Sequence, residues 1–151
     1  MKKRGLASDN YAGTFPEIIE AIEECNKEHA RSYGYDSITE EAFIEFEKIF
    51  GPEIKVSFVF NGTGANVLGI SCVTQSHNGV LCADQSHLYV DESTAPEVFT
   101  GCKYFPLKTN SEGKIEPETN RKAVTRRGDE HHPQINTCSI TQPTEYGTVY
   151  P

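Results

Sequence analysis

Over the first third of the chain, apolar residues recur at helical spacing; from residue 56 they gather into short runs. Thr14-Phe15-Pro16-Glu17 opens a helix, with Thr as cap, Pro in the first turn and Glu three residues after the Thr. Ile18, Ile22 and Cys25 share one face with Ile19 beside them, and the pattern fades near His29-Ala30. After a loop over 31–36, Ser37 and Glu40 form a capping box. Phe43, Phe46, Ile49 and Phe50 make the stripe of this second helix, and Gly51-Pro52 stops it. Val56 to Phe60 is rich in β-branched and aromatic residues and predicts a strand. Asn61 to Asn66 reads as a tight turn, leading into a largely buried helix from Val67 to Val73. Strands follow at Val80–Ala83, Cys102–Leu107 and Ile135–Ile140, with helices over 92–99 and 116–124 between them.

Strands alternating with helices predict an α/β fold, a mostly parallel sheet with helices on both faces. Residues 5–14 are small and turn-forming, so residues 1–14 read as an amino-terminal arm and 15–151 as the folded domain.

Acidic residues outnumber basic ones, 22 to 14, which argues against a nucleic-acid partner. The basic cluster Arg121-Lys122 with Arg126-Arg127 is followed at once by Asp129 and Glu130, as on a solvated helix end and loop. No apolar run approaches the roughly 20 residues of a membrane span, and the polar stretch after Arg4 does not make a signal-peptide core. A cytoplasmic protein is expected. The five cysteines are widely spaced; Cys72, Cys82 and Cys138 lie in apolar stretches and are expected to be buried thiols. His131-His132 lacks a matching ligand pattern, so no metal site is expected.

Two stretches carry candidate chemistry. The first is FNGTGAN, Phe60 to Asn66, between a predicted strand and a helix. Glycines permit close backbone approach, and a helix start offers unpaired amides and a positive dipole end. Thr63 adds a hydroxyl. No Gly-Lys-Ser/Thr follows, and Val67 stands where a dinucleotide fingerprint needs its third glycine. The stretch is either a phosphate cup or simply a tight turn. The second is ADQSHLYVDE, Ala83 to Glu92. His87 falls just past a buried strand, on the edge where open α/β sheets bind ligands. It can stack on an aromatic ring, move protons, or be plain surface.

FNGTGAN, ADQSHLYVDE, APEVFTGCK and SITQPTEYGTVYP, together with ASDNYAGTFPEI and SYGYD, stand in order along nearly the whole chain. This series resembles the low-specificity L-threonine aldolases of the β-eliminating lyase group. The resemblance implies an aspartate-aminotransferase-like fold, with this chain as the arm and first part of the large domain. It implies pyridoxal 5'-phosphate as cofactor and cleavage of L-threonine or allo-threonine to glycine and acetaldehyde. It also implies a homo-oligomer with sites at subunit boundaries. Gly62 and Thr63 would hold the cofactor phosphate, with Gly64 and Asn66 shaping the turn, and His87 would cover the ring. Ser8 matches a residue that seats the substrate carboxylate, Tyr33 one that reaches a neighbouring subunit's site, and Glu92 an acidic residue near the substrate.

One departure stands out. Many members carry Glu-Asn-Thr-His-Asn before Gly-Gly-Thr-Val-Tyr, whereas this chain has Thr141-Gln142-Pro143-Thr144-Glu145-Tyr146 before Gly147-Thr148. Glu145 is the candidate to replace the missing His in catalysis. The family's Schiff-base lysine, its pyridine-pairing aspartate and its carboxylate-binding arginine match no position here, and Lys103, Lys108, Lys114 and Lys122 read as surface charges. The chain is therefore expected to supply the phosphate cup and the stacking histidine but not the lysine, and to show little aldolase activity alone. Two alternatives stay open: another pyridoxal-phosphate-dependent amino-acid lyase, or a non-catalytic fragment.

Overall fold

The computed structural model describes Gly5 and residues 8–151. The chain forms two compact units, residues 1–57 and 58–151.

The first unit holds a short turn at Asp9–Tyr11 and two helices, α1 (Pro16–Cys25) and α2 (Ser37–Phe50). Phe15, not Thr14, is the residue before α1, and no side chain caps it. Pro16 starts the helix because its fixed φ suits a first turn that needs no N–H partner. The helix ends at Cys25, ahead of the His29-Ala30 limit expected from the pattern. At α2 the cap is Asp36 rather than Ser37: its Oδ1 accepts from the Thr39 amide at 2.9 Å and its Oδ2 from the Thr39 hydroxyl at 2.8 Å. An ionised carboxylate beside a hydroxyl wins because it takes both donors at once. Gly51, at φ 91°, closes the helix in a conformation that favours glycine.

The strand expected from Val56 to Phe60 does not form. Residues 54–59 join no sheet, and Phe58 and Phe60 are exposed. β propensity alone does not make a strand; a place in a sheet's hydrogen-bond ladder is needed, and the sheet's three strands do not include this stretch. There follow α3 (Gly62–Val73), β1 (Asn78–Ala83), α4 (His87–Val90), α5 (Ala95–Thr100), β2 (Lys103–Leu107), α6 (Pro117–Ala123) and β3 (Gln134–Cys138). The helix expected over 92–99 starts only at Ala95, as α5, because Ser93 and Thr94 both take left-handed backbone conformations, and the separate short α4 precedes it.

The three strands are all parallel, in the order β2-β1-β3. Central β1 is buried on both faces, and its apolar run Val80-Leu81-Cys82 shows it. On one face Val80, Cys82 and Tyr104 pack against Ile70 of α3 and Leu88 of α4. On the other, Leu81 and Leu107 pack with Ile115, flanked by Phe105, Ile135 and Ala123 of α6. Helices thus cover both faces of a parallel sheet. Fully burying Val80 and Leu81 contributes on the order of 1.5–3 kcal/mol each.

Two burial expectations fail. In α3 only Ile70 is buried, because the helix is apolar nearly all round and can turn only one face to the sheet. Cys82 and Cys102 are the buried thiols, whereas Cys72 and Cys138 are exposed. Among the described residues no helix is long and apolar enough to cross a membrane.

Candidate functional site

Seven of the residues singled out from sequence, Gly62, Thr63, Gly64, Asn66, His87, Glu92 and Glu145, come together at the carboxyl end of β1. The first group is the start of α3. Gly62 to Asn66 is the opening of the helix itself, not a turn preceding it. Asn61 stands before it in an extended conformation, and its Oδ1 accepts from the Gly64 amide at 2.8 Å. The Asn61 carbonyl accepts from Ala65 at 3.1 Å. The Gly62 and Thr63 amides have no acceptor among the described residues, as expected for the first turn of a helix. No acidic residue sits in that turn to compete for its positive end.

The glycines serve different ends. A methyl group on Gly64 would stand 3.3 Å from Asn61 Oδ1 and 3.6 Å from Val59 Cβ, so Gly64 lets the cap close. A methyl on Gly62 would meet nothing within 4 Å, so the space before its amide is open. Two unpaired amides facing open space fit a phosphate group.

His87 is the first residue of α4, with Ser86 before it and the end of β1 close behind. Its ring Nδ1 lies 2.8 Å from Glu92 Oε1, and its backbone amide donates to Glu145 Oε1 at 3.1 Å. The imidazole stays half exposed, which leaves it accessible to a flat ligand.

Glu92 joins the two groups. Its Oε1 accepts from Asn66 Nδ2, in α3, at 2.7 Å as well as from His87. Only 3% of the residue is exposed. Burial pushes its carboxyl upward, but donors from Thr63, Asn66 and His87 outweigh that and hold it below the ordinary carboxylate value. Oε2 keeps no hydrogen-bond partner among the described residues. A hydroxyl has one proton to give. Thr63 can spend it on Glu92 or on a phosphate, and the cup therefore rests chiefly on backbone amides.

Glu145 is carried by a turn in which Thr144 accepts and returns bonds with Thr148. Glu145, Ser86 and Tyr146 line a narrow cleft with room for about one water, too small for an amino acid. Ser8 and Tyr33 belong to the first unit. The Ser8 hydroxyl accepts from the Asn10 amide at 3.2 Å, and Tyr33 sits at φ 64° with its ring almost fully exposed. Of the lysines expected at the surface, Lys108 and Lys122 are exposed and pair with Asp84 and Glu118, whereas Lys114, paired with Glu112, is mostly covered.

Two contributions escape a reading of the sequence. One is Asn61, which caps α3 from three residues before Gly64. The Asn66 side chain reaches across 26 positions to Glu92, a pairing no local pattern announces.

A parallel sheet flanked by helices, with a capped helix start and an accessible imidazole at its carboxyl edge, defines an α/β protein. Comparison with known proteins narrows this. Residues 5–151 match the model of the β-eliminating lyase family. A low-specificity L-threonine aldolase of Pseudomonas sp. (strain NCIMB 10558) is 40% identical over 145 residues, covering 96% of this chain and 42% of that protein. The enzyme of the same name from Pseudomonas aeruginosa gives the same figures. A solved threonine aldolase structure from Leishmania major superposes with a TM-score of 0.85 at 25% identity, over 93% of this chain and 41% of that one. The chain belongs to the β-eliminating lyase family. It spans less than half the length of the curated relatives it matches.

Proposed function

We propose that this chain forms the cofactor-holding half of a pyridoxal-phosphate-dependent carbon–carbon lyase that cleaves β-hydroxy amino acids, L-threonine or allo-threonine, to glycine and acetaldehyde. The observation that carries the reading is the shared Glu92 carboxylate: one oxygen bonded to both Asn66 and His87 sets an imidazole beside an open helix start. One small ligand with a phosphate at one end and an aromatic ring at the other fits that pair. The relatives named threonine aldolases support the substrate class.

The Gly62 and Thr63 amides would hold the phosphate, and the His87 ring would lie against the cofactor ring. Pyridoxal phosphate, when bound, supplies an electron sink for the pair released from the broken bond. Ser8 and Tyr33 are proposed to meet substrate, and Glu145, held at the His87 amide, to stand where a base for the β-hydroxyl is needed. The departure of residues 141–146 from the commoner family stretch supports a second reading, a lyase that eliminates a β-substituent instead.

The test joins this chain to the remaining segment of a threonine aldolase relative, which carries the Schiff-base lysine, and follows acetaldehyde from threonine through a coupled dehydrogenase in the presence of pyridoxal phosphate. Acetaldehyde with equimolar glycine is expected from the joined protein, and little from the 151-residue chain alone. Pyruvate from serine or a β-substituted alanine, with no aldehyde from threonine, would establish the second reading. Neither product from the joined protein despite bound cofactor would refute both.

A further inference from the structure

We infer that Glu92 is a positioning residue: it fixes the His87 ring in the tautomer that carries its proton on Nδ1 and ties that ring to the first turn of α3. The inference rests on the proposed cofactor site but is tested without it. An ionised carboxylate only accepts. Both groups on Oε1 must therefore donate: the Asn66 amide through Nδ2, at 2.7 Å, and the imidazole through an Nδ1–H, at 2.8 Å. The other ring nitrogen, Nε2, is left without a proton, as an acceptor. An imidazole free in water favours the opposite form, with its proton on Nε2. A charge-assisted bond to a buried carboxylate is worth about 1.5–3 kcal/mol, enough to reverse that preference.

The arrangement also limits movement. His87 is held at its ring by Glu92 and at its backbone by Glu145, both of them charged groups. Glu92 is almost fully buried and its second donor belongs to α3. The imidazole cannot swing without breaking a bond inside the fold. The two ends of the cofactor site thus share one anchor, so their separation is set before any ligand arrives. Such preorganisation raises affinity by reducing the ordering that binding demands.

The experiment labels the histidines of the full chain with 15N and reads ring-nitrogen shifts near pH 8.5, above the range in which imidazoles usually titrate. Loss of one signal set in His87→Gln assigns the residue. The wild-type ring is expected to be more than about 90% in the Nδ1–H form. Glu92→Gln should return most of it to the Nε2–H form and weaken pyridoxal-phosphate binding roughly tenfold, and Glu92→Asp should restore part of both. A wild-type ring found mainly as Nε2–H would overturn the inference, whether or not Glu92→Gln folds. A tautomer unmoved by Glu92→Gln would overturn it as well. A titration of wild type with pyridoxal phosphate separates the two claims: the expected tautomer without cofactor binding removes the proposed function and leaves the role of Glu92 intact.

Discussion

His87 Nδ1 and Glu92 Oε1 lie 2.8 Å apart although the residues are five positions apart on different sides of a helix end. Glu92 follows α4, and the backbone reversal at Ser93 and Thr94 holds it where its carboxylate turns back toward the ring. The imidazole is therefore set edge-on to a buried acceptor, and its half-exposed body is free to stack. His87→Ala removes that surface, and aromatic stacking worth about 0.5–1.5 kcal/mol should weaken cofactor binding roughly three- to tenfold. His87→Phe restores a flat ring and should recover most of the affinity. Both leave Glu92 without one donor and should lower stability. Absorbance titration with pyridoxal phosphate measures the affinities, and an unchanged affinity in His87→Ala would remove the stacking role.

Asn61 separates folding from binding at the same helix start. Its Oδ1 takes the Gly64 amide and leaves those of Gly62 and Thr63 open. Asn61→Ala should cost about 1 kcal/mol of stability, read as a lower urea midpoint with an unchanged slope. Asn61→Asp keeps an acceptor for Gly64 and should hold the midpoint, but it adds a negative charge at the cup. Its affinity for inorganic phosphate and for pyridoxal phosphate should fall well below that of wild type. Equal anion affinity in Asn61→Asp and wild type would place the phosphate elsewhere.

A pair of glycines makes the same division sterically. A methyl on Gly79 would stand 2.5 Å from Ile135 Cδ1 and 2.7 Å from Phe105 Cε2. Gly79→Ala overpacks the face between β2 and β3 and should destabilise by about 1–3 kcal/mol. A methyl on Gly62 meets nothing within 4 Å. Gly62→Ala should fold as well as wild type, since Ala favours a helix, yet bind pyridoxal phosphate less tightly because the methyl occupies the approach to the amide. Thermal melts with and without cofactor read both quantities, and a Gly62→Ala protein with full affinity contradicts the cup.

The parts legible in sequence are those where a local rule had no competitor. The buried strand Val80–Ala83 needed only a continuous apolar run, and His87 fell at its carboxyl edge as the topology of such sheets requires. Local rules failed where two donors or acceptors competed. Asp36 displaced Ser37 as a cap because its carboxylate takes two bonds, and Asn61 turned a presumed loop into the first turn of α3. Val56 to Phe60 has strand composition but joins none of the three strands, so propensity there did not decide the backbone's state. The Asn66–Glu92 bond joins distant segments, and only the assembled sheet brings them together.

Glu92 also sets a pH response whose sign discriminates between burial and hydrogen bonding. Burial alone would raise its carboxyl, keep it protonated and make the fold gain stability on acidification. Donors from Thr63, Asn66 and His87 outweigh burial, so the folded value lies below the ordinary 4.5. A lowered value means that the ionised form is favoured in the folded state. Its contribution is complete above the unfolded value and is lost as pH falls through the folded one. Asp36, Asp84 and Asp129 are lowered too, so wild type alone does not isolate Glu92. The difference in urea midpoint between wild type and Glu92→Gln does. That difference should be greatest near pH 7, begin to shrink below about 4.5 and close further toward pH 3. A gap that widens on acidification would show that burial dominates, that Glu92 carries a proton near neutrality, and that its bond to His87 is not the charge-assisted one on which the fixed ring depends.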